Sequence, residues 1–208
     1  MRVAGITAAF VVATVLAIVY FGWASSGDSS PSSGATSTPP VIGAEIPYYE
    51  NISVWPRYED IVARFSIAHP IDFVTDSTRD GEIFFTLAIP ATFLPQTNFS
   101  EAILTVARRI GSQAVARCLD ALSNESIAGV QRIDNLPFTI FTSSETAAEN
   151  RYLTASYRGR IGNVCYVIEY VIHSTALEEY PPEYRLKAFD EQKVKEALDR
   201  ITGTFRLL

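Results

Sequence analysis

Apolar residues run almost unbroken from Val3 to Tyr20 (VAGITAAFVVATVLAIVY), and the uncharged stretch continues through Phe21, Gly22, Trp23 and Ala24. At ~1.5 Å per residue, about 20 such residues span a hydrocarbon core of roughly 30 Å. The pattern then breaks. SSGDSSPSSGATSTPPVIG offers almost nothing to bury, so residues 25–46 are expected to form a disordered Ser/Pro/Gly-rich linker. From residue 47 to 208 apolar positions recur with the periods of regular structure, which predicts one folded domain.

Within that domain Tyr48–Tyr58 is aromatic and broken by Pro56, an irregular lead-in with one edge strand. Arg64–Ala68 alternates and stops at His69-Pro70. Ile71–Val74 and Glu82–Ile89 read as strands on either side of a polar Asp76–Gly81 turn, and another strand follows around Ala102–Ala107. Phe138–Ser143, Arg151–Tyr157 and Asn163–Ile172 are three more. In the last, Val164, Tyr166, Ile168, Tyr170 and Ile172 face one way. Cys165, Val167 and Val171 face the other, with Glu169 the polar exception. A strand apolar on both faces belongs at the centre of a covered sheet.

Two helices are expected. Ser112 caps Gln113–Leu122, whose Val115, Cys118, Leu119 and Leu122 form one stripe. Asp190 caps the closing helix, where Phe189 and Val194 make a hydrophobic staple and Gly203 is the stop. Val194, Ala197, Leu198 and Ile201 are its apolar face, with Glu191/Lys195 and Glu196/Arg200 as i,i+4 pairs. A short strand, Thr204–Leu207, ends the chain. Mostly sequential strands with two helices predict an α+β fold, an antiparallel sheet packed by helices and preceded by one transmembrane helix.

Charge sets the address and one exclusion. Of 17 Lys and Arg only Arg2 precedes residue 25, so the remainder carries 16 basic against 23 acidic residues, a balance of −7. With no basic stripe, such a domain is not expected to bind nucleic acid. Arg2 stays inside by the positive-inside rule and residues 25–208 lie outside the cytoplasm. The favoured reading of residues 1–24 is a signal anchor, because the apolar run exceeds the roughly 7–15 residues of a signal peptide and Tyr20 and Trp23 sit where an interfacial belt would fall. The alternative is secretion after cleavage near Ala24. A linker of this length reaches roughly 25–30 Å, which keeps the domain near its membrane.

Cys118 and Cys165 are the only two cysteines. Outside the cytoplasm such a pair is expected to form a disulfide, here pinning a helix to the central strand, the alternative being two separate buried thiols; a redox pair would read C-x-x-C. The rest of the chemical inventory is small. His69 ends a strand before Pro70. His173 shares a strand face with Glu169, but i,i+4 on a strand separates them by about 13 Å, too far for a shared metal. No G-x-S-x-G, S-x-x-K or phosphate loop occurs. Asn51, Asn98 and Asn124 open N-x-S sequons. Tyr180-Pro181-Pro182-Glu183-Tyr184 is the most distinctive loop, stiffened by two prolines and flanked by tyrosines; the favoured reading is that it covers a sheet edge or core end, and it is also the candidate partner-binding segment. No cofactor or metal is expected.

Ala148-Glu149-Asn150-Arg151-Tyr152, then Cys165, Tyr170-Val171-Ile172-His173-Ser174, Tyr180-Pro181-Pro182 and Phe189-Asp190 resemble small uncharacterised secreted or membrane-anchored bacterial envelope proteins. Phe65-Ser66-Ile67-Ala68-His69-Pro70 and Ile201–Phe205 are similar to the PsbP-like fold, a sheet between helices, although His69 stands where an aromatic often precedes the proline. The resemblance implies an envelope domain and carries no catalytic residues. The expected function is a non-catalytic binding or scaffold module with an envelope protein as partner. The alternative is an envelope hydrolase using His173 or His69.

Overall fold

Residues 51–76 and 80–208 are described in the computed structural model, within the second of two units, Glu45–Leu208. The expected anchor over 1–24 and linker over 25–46 lie outside the described residues. Among the described residues no helix is long and apolar enough to cross a membrane.

A 3-10 turn at Ile52–Val54 leads to β1 (Arg57–Asp60), β2 (Phe65–Ala68), β3 (Val74–Asp76), β4 (Ile83–Pro90) and β5 (Phe99–Ile110). Then come α1 (Ser112–Ala116), β6 (Ser126–Ile133), β7 (Leu136–Ala147), β8 (Asn150–Ile161), β9 (Val164–Thr175), α2 (Glu191–Thr202) and β10 (Arg206–Leu207). Seven strands form a sheet in the order β3-β4-β5-β9-β8-β7-β6, antiparallel throughout. A second sheet, β1-β2-β10, is also antiparallel. The molecule is α+β.

β9 takes the centre because both its faces are apolar: eleven of its residues pair with β5 and all twelve with β8. On one face Leu87, Leu104, Ile168 and Ile172 pack under Phe65 and Ile67 of β2, Val194, Leu198 and Ile201 of α2, and Phe205. Phe205 stacks on Phe65 at 5.7 Å and meets Phe138 and Tyr166 edge-on. The Thr204 hydroxyl accepts from Ala68 N–H at 2.8 Å, tying the end of the chain to β2. On the opposite face Ala107, Cys118, Cys165 and Val167 form a smaller cluster beneath α1.

The closing helix forms as its caps dictate: Asp190 Oδ1 accepts from Lys193 N–H at 3.0 Å and Gly203 is the C-cap. The Lys195–Glu191 pair closes at 2.5 Å, while Glu196 accepts from Gln192.

Four expectations are corrected. The first helix is Ser112–Ala116, with Gly111 at its N-cap, so Ser112 lies inside it. Cys118 is drawn onto the sheet by its disulfide and i,i+3 turns replace the helix, leaving Leu119 and Leu122 exposed. Ile71–Val74 is a turn followed by β3, since the Phe73 N–H bonds back to the Pro70 carbonyl. β6 was not anticipated, and β7 and β8 run well past Phe138–Ser143 and Arg151–Tyr157. Asp134 and Asn135 join β6 to β7 with φ of 51° and 62°, the primed two-residue turn that matches strand twist.

Candidate functional site

The Tyr180–Tyr184 segment emerges from the end of β9 on a chain held at both bases. Before it, Ala176 N–H donates to the Glu149 carbonyl at 2.8 Å; after it, Lys187 bridges to Thr97 and its carbonyl accepts from Asn98 N–H at 3.0 Å. Tyr180 and Pro181 are extended, and Pro182–Tyr184 then closes a 3-10 turn that Arg185 ends at φ 51°. The polyproline-like stretch is therefore short. Tyr184 is 62% exposed, Pro181, Pro182 and Glu183 are exposed too, and Tyr180 is half-buried. Beside the base of this loop the Glu149 carboxylate raises the Glu179 carboxyl above its ordinary value, with smaller contributions from desolvation and Glu178.

Neither histidine joins that loop in a catalytic array. His69 is buried and donates from Nδ1 to the Pro70 carbonyl at 2.9 Å. His173 stacks on Tyr152 at 4.7 Å, donates from Nε2 to Asn150 Oδ1 at 2.9 Å, and has Glu101 3.9 Å from Nδ1. Asn150 Oδ1 also accepts from Thr175. Among the described residues no cluster of His, Cys, Asp and Glu could hold a metal.

Cys118 and Cys165 form a disulfide with Cα atoms 5.6 Å apart. It closes the segment after α1 over the sheet, as expected, although Cys118 sits in a turn and not on a helix. The sequons are unequal. Asn98 is engaged on both ends of its amide, donating to Thr175 at 2.7 Å and accepting from Phe189 N–H at 3.0 Å, so it fastens β5, β9 and the lead-in to α2.

One arrangement has no signal in the linear sequence. A cleft of about 520 Å³ lies beside the start of β6, where α2 crosses the β7–β8 hairpin, lined by Thr142, Ser144, Arg151, Leu153, Tyr157 and Tyr170 and by Glu191 and Lys195 of the helix. Arg151 pairs with Glu191 at 3.2 Å on its rim. The Tyr157 and Tyr170 hydroxyls both donate to Asp199 Oδ1, at 2.6 and 3.0 Å. Burial first, and the Asp199 carboxylate next, raise both phenols well above their ordinary value. The cleft thus presents neutral phenols and a compensated ion pair, which suits binding better than proton transfer near neutral pH.

No protein-family profile and no curated protein sequence matches the chain. A crystal structure from Bacteroides thetaiotaomicron aligns at TM-score 0.43 and 12% identity over 73% of this chain and 48% of that one. The alignment therefore spans about half the length of the Bacteroides chain. The Saccharomyces cerevisiae Ran-binding protein Mog1p aligns at TM-score 0.44 and 10% identity, over 74% of this chain and 95% of that one. At these values the similarity carries no functional argument.

Proposed function

We propose that this chain is a membrane-tethered, extracytoplasmic binding or scaffold module of the cell envelope, related to uncharacterised anchored envelope proteins and PsbP-like in fold. The helix on each face of the antiparallel sheet supports the fold assignment. The Cys118–Cys165 disulfide and the apolar N-terminal sequence support the address. The observation that carries the binding role is Tyr184, a large aromatic exposed on a loop whose two bases are pinned by backbone hydrogen bonds. Such a residue offers contact area with little entropy left to lose.

Two measurements test the proposal. A reporter fused after Leu208 should be active outside the cytoplasm, and the protein should resist carbonate extraction; release of a form beginning near Ser25 would replace the anchor with a cleaved signal. A photo-crosslinker at Tyr184 should capture one envelope protein in intact cells, and Tyr184→Ala should abolish association without lowering the melting temperature. Loss of melting temperature with association retained would make the loop structural.

A further inference from the structure

We infer that the cleft between α2 and the β7–β8 hairpin is a binding site for a neutral saccharide. It shares no residue with the Tyr180–Tyr184 loop and does not depend on the tether.

A row of cross-strand neighbours builds its floor. Ser126 pairs with Thr142, Thr142 with Ala155, and Ala155 with Tyr170, so β6, β7, β8 and β9 each place one residue on the face toward α2. Beside the helix the row is apolar or phenolic; farther out it turns to hydroxyls. Ser144, paired with Leu153 on the same face, adds another. The Ser126, Thr142 and Ser144 hydroxyls have no partner among the described residues. On an open sheet edge such hydroxyls would simply be solvated. Here Glu191 and Lys195 of α2 form a facing wall, and the volume of about 520 Å³ lies in the range of small-molecule sites.

Charge decides the class of ligand. The charged lining is Arg151, Lys195 and Glu191, and Asp199 accepts from the two phenols, which makes two charges of each sign. Glu191 holds Arg151 with one oxygen at 3.2 Å and Lys195 with the other at 2.5 Å. A charged ligand of either sign would have to break that triad to find a partner. The apolar share of the wall is Ile140, Leu153 and Ala155, too little to bury an acyl chain and enough for the C–H face of a sugar ring. The polar share asks for both donors and acceptors. Ser and Thr hydroxyls do both, Arg151 only donates, Glu191 only accepts, and the phenols, whose protons go to Asp199, are left to accept. Vicinal hydroxyls on a sugar ring offer donors and acceptors side by side without net charge. The site is also preformed, because strands carry the floor and both phenols tie α2 to it through Asp199, so little ordering is left for the binding step.

The test uses the full chain in a polyoxyethylene detergent, which carries no sugar. It is applied to an array of neutral, acidic and amino saccharides, and those that bind are titrated by calorimetry. We expect neutral saccharides to bind and inorganic phosphate not to compete. Ser126→Trp fills the cleft from an exposed position and should abolish binding. Ile127→Trp, the next residue of β6 and on its opposite face, should bind like the unaltered chain. Thr142→Val removes one hydroxyl at nearly constant shape and should weaken binding about fivefold, the equivalent of one neutral hydrogen bond. Glu191→Gln leaves one positive charge in excess and should move the preference toward acidic saccharides. Melting temperatures taken alongside separate lost binding from lost fold; if Ser126→Trp melts lower, Thr142→Val decides. Binding that survives both Ser126→Trp and Thr142→Val, or that Ile127→Trp abolishes, overturns the site. Binding confined to acidic or amino saccharides, a Glu191→Gln preference that stays neutral, or an array on which no saccharide binds overturns the ligand class and with it the proposal.

Discussion

Arg158 of β8 and Glu125, in the segment between α1 and β6, form an ion pair with only 6% of each side chain exposed. Arg158 also donates to Ser156 Oγ at 3.1 Å and to the Asp120 carbonyl at 3.0 Å, and lies 4.4 Å above the Phe141 ring. Glu125 in turn accepts from the Leu122 N–H at 2.8 Å. The pair thus fastens to the sheet the same segment that the disulfide closes. Removing one partner strands a buried charge, so Glu125→Gln or Arg158→Met should cost about 3–5 kcal/mol in urea unfolding. The apolar pair Glu125→Leu with Arg158→Met should lose less than either single change, because neither charge is then left alone. A double variant as unstable as the sum of the singles would show that packing, not charge, holds the segment.

The disulfide acts on the same segment from its other end. With a sequence separation of 47, chain-entropy reasoning allows about 4 kcal/mol of stabilisation. Changing both cysteines to alanine should lower stability by up to that amount while circular dichroism stays native. Amide exchange should rise in residues 112–125 and remain slow in β9, whose ladders to β5 and β8 do not depend on the bond. Fast exchange throughout β9 would mean that the cysteines hold the sheet itself.

What the sequence made legible follows from where the information lies. β9 was readable because alternation on both faces is local, and α2 because its cap, staple and stop lie within fifteen positions of one another. The period of Val115, Cys118, Leu119 and Leu122 points to a longer first helix than forms, because a long-range covalent bond decides which of them is buried. β6 carries little signal in its pattern, being an edge strand with Ile127 and Val130 exposed and interrupted by a bulge before Gly129. Its turn, Asp134-Asn135, was the available signal. Arg158–Glu125 and the tyrosines on Asp199 unite residues 29 to 42 positions apart, and no spacing rule within a strand or helix pairs them.

Gly159 tests the packing of the long hairpin. A Cβ at this position of β8 would sit 2.8 Å from Phe138 Cε1, and Phe138 is fully buried. Gly159→Ala should therefore cost about 1–3 kcal/mol, the usual penalty of overpacking. Combining it with Phe138→Leu should recover part of that loss, since the smaller side chain vacates the ring's edge. Equal losses adding without recovery would place the strain in the backbone.

Tyr157 and Tyr170 make the stability of the domain depend on alkaline pH. Both hydroxyls donate to Asp199 Oδ1, and both phenols are held neutral, by burial foremost and then by the charge and hydrogen bond of Asp199. Their pKa values in the folded chain lie above the ~10 of an unfolded tyrosine. The native state therefore binds these protons more tightly, and their contribution is complete below about pH 10 and is lost as pH rises beyond it. In that window unfolding free energy should fall by ~1.4 kcal/mol per pH unit for each tyrosine. Tyr157→Phe and Tyr170→Phe should each remove one share of the slope, and the double variant both. Asp199→Asn should leave the slope in place just above pH 10, because burial alone already raises the phenols, and should end it at a lower pH. Urea unfolding across the alkaline range, followed together with phenolate absorbance, measures all four. A double phenylalanine variant with an undiminished slope would assign the alkaline loss to other groups and leave the Asp199 cluster a matter of packing.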